Sequence, residues 1–279
     1  MNITVIGLGI IGSIWAQHLA KDGHQVRTWN RSAKPNAPGF TPQLLDSIRN
    51  AELVMVVVAD PPAVQQILDG IAPALKKGMI VAQHSTVGVS DTERFAAQVQ
   101  DTGASYLDMP FTGSKPAAEQ RQNVFFVGDN HQVLPRIESV YKSLAKKLLP
   151  IGNIGKASAI KLAFNLLIAN LNQAQSESFE LARRSGIDPA IFFDALNYNV
   201  AKSGLADLKQ PKYISGDYSP QFSIKHMHKD LRLALTHAKT LNLTLAETAT
   251  VQGLYAEAEK RGLGDQDFSA LLEIIRHPH

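Results

Sequence analysis

The sequence contains no cysteine, which excludes disulfides, thiolate metal ligands and a cysteine nucleophile. It also lacks a dense basic stripe, because its 28 lysines and arginines are scattered along the chain, and this argues against nucleic-acid binding. No export signal precedes the first apolar run, and the apolar helical stretch at residues 160–171 is too short and polar for a bilayer. We therefore predict a cytoplasmic protein with neither a nucleic-acid nor a membrane partner.

The charged residues favour a small ligand rather than a metal ion. A formal net charge of +3 suits a small anionic molecule. His226 and His228 are two residues apart, which is not the spacing of metal ligands on a helix, so no metal site is expected.

The 279 residues fall into two halves with different patterns. Up to about residue 150, short apolar runs alternate with helical patterns, as in a parallel βαβ sheet. After Gly155 the pattern is almost continuously helical, apart from residues 201–224, whose glycines and prolines predict a loop. We predict an α/β fold with a parallel-sheet domain at 1–152 and an all-α substrate and oligomerisation domain at 153–279. The predicted strands are residues 3–6, 25–29, 53–58, 79–82 and 124–127.

A glycine-rich turn directly follows the first predicted strand and opens a helix. The first glycine permits a tight turn, the second lets a pyrophosphate approach the backbone, and the third lets the helix pack on the sheet. A purely structural turn is the alternative, but the strand–turn–helix context predicts a Rossmann-type dinucleotide site. Its candidate residues are Gly7, Gly9, Ile10, Ile11 and Gly12.

The end of the second strand bears on which dinucleotide binds. An NAD enzyme usually places a carboxylate there, but this chain has Asn30, Arg31 and Ser32, with Lys34 nearby. Cationic and hydroxyl groups hold a 2′-phosphate, so NADP is favoured and NAD remains possible. The alternative is that Arg31 and Lys34 are ordinary solvated charges.

Four later segments, taken in order, resemble the β-hydroxyacid dehydrogenase family. They are Ser85-Thr86-Val87, the loop from Asp108 to Ala117, Gly152-Asn153-Ile154-Gly155 followed by Lys161 and Asn165, and Lys229-Asp230-Leu231. The spelling Gly-Ser-Lys-Pro-Ala at residues 113–117 most resembles the glyoxylate/succinic semialdehyde reductase branch. Phe111 and Thr112 depart from the usual valine and serine, which puts substrate size in question.

The resemblance implies hydride transfer between a nicotinamide and a small hydroxy acid or aldehyde acid. Lys161 would be the general acid/base and Asn165 would orient the substrate or the lysine, since residues four apart share one helix face. Backbone N–H groups of the loop at Thr112, Gly113 and Ser114 would hold the substrate carboxylate. The remaining candidates are Ala59, Asp60, Thr86, Phe222 and Lys229 for the cofactor, and Ser85, Lys161, Asn165 and Asp230 for the substrate.

Three alternatives stay open from the residues. An imine reductase shares this fold, although a cationic Lys161 would repel an iminium. A 6-phosphogluconate dehydrogenase would have a histidine where Phe164 stands. A non-catalytic dinucleotide-binding scaffold would need neither Lys161 nor Asn165. The apolar helix after Gly155 further predicts a homodimer or homotetramer, in which a second subunit covers its hydrophobic face.

Overall fold

A computed structural model describes residues 1–277 of the chain. They form two compact units, Met1–Lys161 and the residues from Leu162 onward. The boundary between the units lies inside a long helix, whereas the sequence places the domain boundary after residue 152.

The first unit is built on one eight-stranded sheet. The strand order is β2-β1-β3-β4-β5-β7-β6, with β8 paired to β7. The strands are β1 (Asn2–Ile6), β2 (Gln25–Trp29), β3 (Leu53–Val56), β4 (Ile80–Gln83), β5 (Ser105–Asp108), β6 (Phe111–Thr112), β7 (Asn123–Gly128) and β8 (Ala145–Gly152).

The sheet is mainly parallel, as predicted from the sequence, but it also contains antiparallel pairs that were not predicted. The pairs β5–β7 and β6–β7 are antiparallel, while the other pairs are parallel. Only Met109 and Pro110 separate β5 from β6, and residues 113–122 separate β6 from β7. Strand β7 then returns between β5 and β6 and pairs antiparallel with both, since the ten-residue connection from β6 is shorter than a parallel crossover, which needs a dozen or more residues.

Six helices belong entirely to this unit and cover the sheet. They are α1 (Ile10–Lys21), α2 (Leu44–Ser47), α3 (Pro61–Ile71), α4 (Val89–Asp101), α5 (Lys115–Glu119) and α6 (Glu138–Lys142). One apolar cluster joins Trp15 and Leu19 of α1 to the sheet, and a second joins Phe95 and Val99 of α4 to it. Every residue of β3 is buried, as expected for a parallel strand packed on both faces.

The strand order identifies where a ligand would bind in this unit. Strand β1 lies between β2 and β3. The connection from β1 to β2 and the connection from β3 to β4 therefore lead toward opposite edges of the sheet. Ligands of open α/β sheets bind in the crevice outside the carboxyl ends of such strands. The glycine-rich turn occupies this position, which agrees with the predicted Rossmann-type domain.

The second unit is helical, as predicted. It contains most of α7 (Lys156–Arg184), which begins in the first unit, and then α8 (Pro189–Leu196), α9 (Gly204–Ser215), α10 (Ile224–Thr240), α11 (Ala246–Lys260) and α12 (Leu272–Arg276). Its larger core joins α7, α10 and α11 through residues such as Ala169, Leu231 and Tyr255. Within residues 1–277, no helix combines the length and apolar character needed to cross a membrane.

The predicted loop at residues 201–224 was wrong in part, because it contains α9. The Ser203 side chain caps this helix by accepting from the Ala206 N–H, and Gly216 ends it in the left-handed region with φ 72°. Gly204 and Gly216 therefore mark the ends of a helix rather than a continuous loop. Pro211 is accommodated within it.

Candidate active site

The glycine-rich turn has the backbone that a dinucleotide site requires. Gly7 has φ +99°, and a Cβ there would lie 2.1 Å from the Val57 carbonyl oxygen. A Cβ on Gly12 would lie 2.0 Å from the Gly7 carbonyl oxygen. At Gly9, by contrast, a Cβ would meet no atom of the described residues within 4 Å. The outer glycines are thus required by packing, while the space at Gly9 fits the approach of a phosphate to the helix N-terminus.

The predicted residues after β2 support this turn directly. Asn30 Oδ1 accepts a hydrogen bond from the Leu8 N–H at 2.9 Å, and its Nδ2 donates to the Ser32 carbonyl at 2.9 Å. The Lys34 ammonium donates to the Leu8 carbonyl. Asn30 and Lys34 therefore shape the turn, whereas Arg31 and Ser32 are exposed beside it.

The residues after β3 and β4 make local structural contacts. Asp60 caps α3 by accepting from the Ala63 N–H at 2.9 Å, and Ala59 beside it is exposed. Ser85 is buried, and its Oγ accepts from the Val58 N–H at 2.8 Å, which ties the ends of these two strands together. Thr86 is half-buried.

The predicted substrate loop lies between β6 and α5. Gly113 has φ +105°, a conformation that favours glycine, and Ser114 occupies the N-cap position of α5 without a side-chain capping bond. The Thr112 and Gly113 carbonyls accept hydrogen bonds from Nδ2 of Asn123, a residue that was not among the predicted site residues.

Lys161 lies in the second turn of α7, and the first turn of that helix is anchored by Asp108. The buried carboxylate accepts from the Gly155 N–H at 3.0 Å, the Ser158 N–H at 2.9 Å and the Ser158 hydroxyl at 2.7 Å. Burial raises the pKa of Asp108 above its ordinary value, while these hydrogen bonds oppose that shift. An acceptor at a helix N-terminus satisfies otherwise unpaired N–H groups, so Asp108 fixes the start of the helix that carries Lys161.

In the second unit, three predicted residues from two helices meet in a buried cluster. Asn165 of α7 donates through Nδ2 to Asp230 Oδ2 of α10 at 2.5 Å. Asp230 Oδ1 lies 2.8 Å from the Lys229 ammonium. Asn165 is 4% exposed and Asp230 is 1% exposed. This cluster, Asn165–Asp230–Lys229, holds the asparagine amide with its carbonyl oxygen turned away from the carboxylate.

Phe222 is supported by a buried ion pair that was not predicted from the sequence. The Lys209 ammonium donates to both oxygens of Asp267, at 2.7 Å and 3.0 Å, and both side chains are fully buried. Asp267 also accepts from the backbone N–H groups of Gln221 and Phe222. The pair thus shapes the segment that carries Phe222. No local sequence signal marks it, since Lys209 and Asp267 are far apart in the chain.

His84 is a structural residue despite its position next to Ser85. Its Nδ1 donates to the Met109 carbonyl at 2.7 Å, and its Nε2 accepts from the Tyr141 hydroxyl at 2.8 Å. Burial lowers the pKa of His84 to about 4, so the ring is neutral at pH 7.

Across residues 1–277, no group of three or more histidine, aspartate or glutamate side chains is placed to hold a metal ion.

Comparison with known proteins gives matches over both units. The family model for the NAD binding domain of 6-phosphogluconate dehydrogenase matches residues 2–152. The model for the NAD-binding domain of NADP-dependent 3-hydroxyisobutyrate dehydrogenase matches residues 155–275.

Individual relatives match along nearly the whole chain. The 2-hydroxy-3-oxopropionate reductase of Escherichia coli is 30% identical, with 99% of this chain and 97% of that protein covered. The chloroplastic glyoxylate/succinic semialdehyde reductase 2 of Arabidopsis thaliana is 28% identical, with 99% and 80% covered. The structure of Mycobacterium tuberculosis 3-hydroxyisobutyrate dehydrogenase with L-serine matches with a TM-score of 0.88 at 24% identity, covering 99% of each chain. The fold of both units is therefore shared with these proteins.

Proposed function

Because the chain belongs to the β-hydroxyacid dehydrogenase family, we propose that it is an NADP(H)-preferring reductase of a small aldehyde acid. Membership confirms the resemblance stated from the motifs. The proposal depends mainly on the buried cluster Asn165–Asp230–Lys229, which brings together residues that the resemblance assigns to the site.

The chain supplies a proton donor and an orienting amide for carbonyl reduction. Lys161 would donate a proton to the carbonyl oxygen, where negative charge develops as the carbon is reduced. In the reverse direction the neutral lysine would accept the hydroxyl proton. Asn165, one helical turn further along α7, would hydrogen-bond the substrate or the lysine with an amide that Asp230 keeps in one orientation.

The glycine-rich turn fits the cofactor that this chemistry requires. When bound, the nicotinamide dinucleotide supplies the hydride. The turn from Gly7 to Gly12 would hold the pyrophosphate at the N-terminus of α1. Asn30 and Lys34 are bonded to Leu8, so recognition of a 2′-phosphate would depend mainly on Arg31 and Ser32. We propose a preference for NADP over NAD on this basis.

The loop from Thr112 to Ser114 would bind the substrate carboxylate through its backbone N–H groups. The names of two relatives favour the same substrate class, since one is a glyoxylate/succinic semialdehyde reductase and the other a 2-hydroxy-3-oxopropionate reductase. A short acid with an aldehyde at the reacting carbon is therefore the proposed substrate.

The test compares Lys161→Ala with Lys156→Ala, a change of an exposed lysine at the start of the same helix. NADPH and NADH consumption is followed at 340 nm with glyoxylate, succinic semialdehyde, tartronate semialdehyde, methylmalonate semialdehyde and a cyclic imine. We expect one aldehyde acid to be reduced, with kcat lowered by about 10²- to 10⁴-fold in Lys161→Ala and unchanged in Lys156→Ala. NADPH binding should persist in both variants.

Other outcomes would contradict this proposal in distinct ways. Normal turnover by Lys161→Ala would reject the role of the lysine. NADPH binding without turnover of any aldehyde acid would favour the scaffold, and turnover of the imine alone would favour an imine reductase.

We also propose that the protein is a cytoplasmic homodimer or homotetramer. The support for assembly is an exposed apolar face on α7, in which Phe164, Leu167, Leu171 and Leu181 recur at helical spacing.

A further inference from the structure

A buried asparagine lies directly beneath the predicted substrate loop. Asn123, the first residue of β7, is fully buried. Its Nδ2 donates to the Gly113 carbonyl at 3.0 Å and to the Thr112 carbonyl at 3.4 Å. A Cβ on Gly113 would lie 2.7 Å from this nitrogen, so the loop backbone and the amide are in close contact.

The orientation of the Asn123 amide is set by Trp15 of α1. The Trp15 indole N–H donates to Asn123 Oδ1 at 3.0 Å. An indole nitrogen can only donate, so the asparagine oxygen must face Trp15 and its NH₂ group must face the loop. Trp15 is fully buried, and its ring also packs against Phe111 of β6 with centroids 4.9 Å apart. Trp15 therefore contacts both the asparagine and the strand that leads into the loop.

This arrangement determines where the loop N–H groups point. Across a trans peptide bond the C=O and N–H groups point in opposite directions, and no cis peptide occurs among residues 1–277. Because Asn123 draws the Thr112 and Gly113 carbonyls toward itself, the N–H groups of Gly113 and Ser114 point away from it. Two consecutive N–H groups pointing the same way form a concavity suited to an anion.

We infer that Trp15 and Asn123 are positioning residues that set the substrate loop to bind a carboxylate. The inference rests on the proposed function, which assigns that carboxylate to the loop. It also links two parts of the proposed site, because Trp15 belongs to the helix that opens at the glycine-rich turn. The pair should therefore control selectivity for acids over uncharged aldehydes.

The main test is Asn123→Asp, which keeps the size of the side chain and the acceptor for Trp15. The new carboxylate cannot donate to the loop carbonyls and repels them, so the two N–H groups should lose their alignment. We expect KM for the preferred aldehyde acid to rise about tenfold or more, with little change in the NADPH Kd. The kcat/KM for butanal, which lacks a carboxylate, should be nearly unchanged. Trp15→Phe, which replaces the indole with a smaller phenyl ring and so removes the N–H donor to Asn123, should show a smaller effect of the same kind.

Tyr141→Phe is the matched control. It removes a buried hydrogen bond from the same aromatic cluster, the one to His84, and leaves the bonds of Asn123 intact. We expect it to lower stability without changing the ratio of acid to butanal turnover. If Asn123→Asp lowers turnover of both aldehydes equally, or behaves as Tyr141→Phe does, the inference is wrong.

Hydrogen exchange provides a readout that does not require turnover. Amide exchange measured by mass spectrometry on a peptide covering residues 110–119 should accelerate in Asn123→Asp and Trp15→Phe, but not in Tyr141→Phe. Unchanged exchange in both variants would overturn the inference even if the wild type reduces an aldehyde acid. If the wild type reduces none, the proposed function fails, and with it the assignment of a carboxylate to the loop. The hydrogen-exchange result would then still decide whether Trp15 and Asn123 hold the loop in place.

Discussion

Arg31 is the residue on which the proposed cofactor preference depends most. It follows Asn30, whose side chain is already bonded to Leu8 and Ser32, and it is exposed at the end of β2. A guanidinium can hold a 2′-phosphate with two parallel, charge-assisted hydrogen bonds.

We therefore expect Arg31→Ala to raise the Kd for NADPH by about ten- to a hundredfold, because hydrogen bonds to charged groups contribute roughly 1.5 to 3 kcal/mol. The Kd for NADH should change little. Titration followed by nicotinamide fluorescence would measure both values. Arg27→Ala serves as the control, since Arg27 lies on the same strand and donates to the Asp46 carbonyl. An equal loss of affinity for both cofactors, or no loss, would contradict the assignment of the 2′-phosphate to Arg31.

Single site residues were predictable where neighbouring residues in the sequence determine which amino acid fits. Gly7 and Gly12 were identified because a strand–turn–helix segment permits few other residues at these positions. In the structure, a Cβ at either position would clash with a backbone carbonyl oxygen. Trp15, Asn123 and Asp108 were not selected as site residues. The Trp15–Asn123 hydrogen bond and the contacts of Asp108 with α7 join positions about 50 to 110 residues apart, which no periodic pattern reveals.

At the scale of elements, the N-terminus of α7 is the feature most open to test. The Asp108 carboxylate satisfies two backbone N–H groups and one hydroxyl of the first turn, and Lys161 follows in the next turn. Removal of the carboxylate would leave these buried donors without an acceptor, which is more costly than the loss of an average hydrogen bond.

We expect Asp108→Ala to lower the free energy of unfolding by about 2 kcal/mol or more. Ser158→Ala, which removes only the hydroxyl contact, should cost about 1 kcal/mol. Urea denaturation would measure both changes. Hydrogen exchange at residues 155–160 should accelerate more in Asp108→Ala than in Ser158→Ala, and kcat should fall in the same order while the NADPH Kd is retained. Equal stability of Asp108→Ala and the wild type would show that the carboxylate does not anchor the helix.

Elements with a strong periodic pattern were predicted well, while those defined by their partners were not. Strands β1 to β4 and β7 appear where the sequence indicated strands, and α7, α8, α10 and α11 account for the helical pattern predicted after Gly155. Strands β5, β6 and β8 were missed. Burial in β8 is irregular and β6 has only two residues, so neither offers a clear alternation. Helix α9 was hidden by Gly204, Pro211 and Gly216, which read as loop residues until their positions within the helix are known.

At the scale of the whole molecule, the exposed face of α7 predicts assembly. In the second unit, six of its exposed positions, 164, 167, 171, 174, 178 and 181, follow one another in steps of three and four, and all six except Ser178 are apolar. Leu167 is 50% exposed and Leu181 is 71% exposed. A helix with a continuous exposed apolar stripe of this kind is typical of a subunit interface, because a partner removes the stripe from water.

We therefore expect the wild type to be a dimer or tetramer at low micromolar concentration, measured by sedimentation velocity or by light scattering on a sizing column. The double variant Leu167→Glu/Leu171→Glu should be monomeric, since two charges placed in an apolar interface would be desolvated without partners. Leu241→Glu is the matched control, because Leu241 is also well exposed but follows α10 rather than lying on the α7 stripe. A monomeric wild type would reject the proposed assembly. An oligomeric double variant would instead require a different interface, because the stripe on α7 would not be what holds the subunits together.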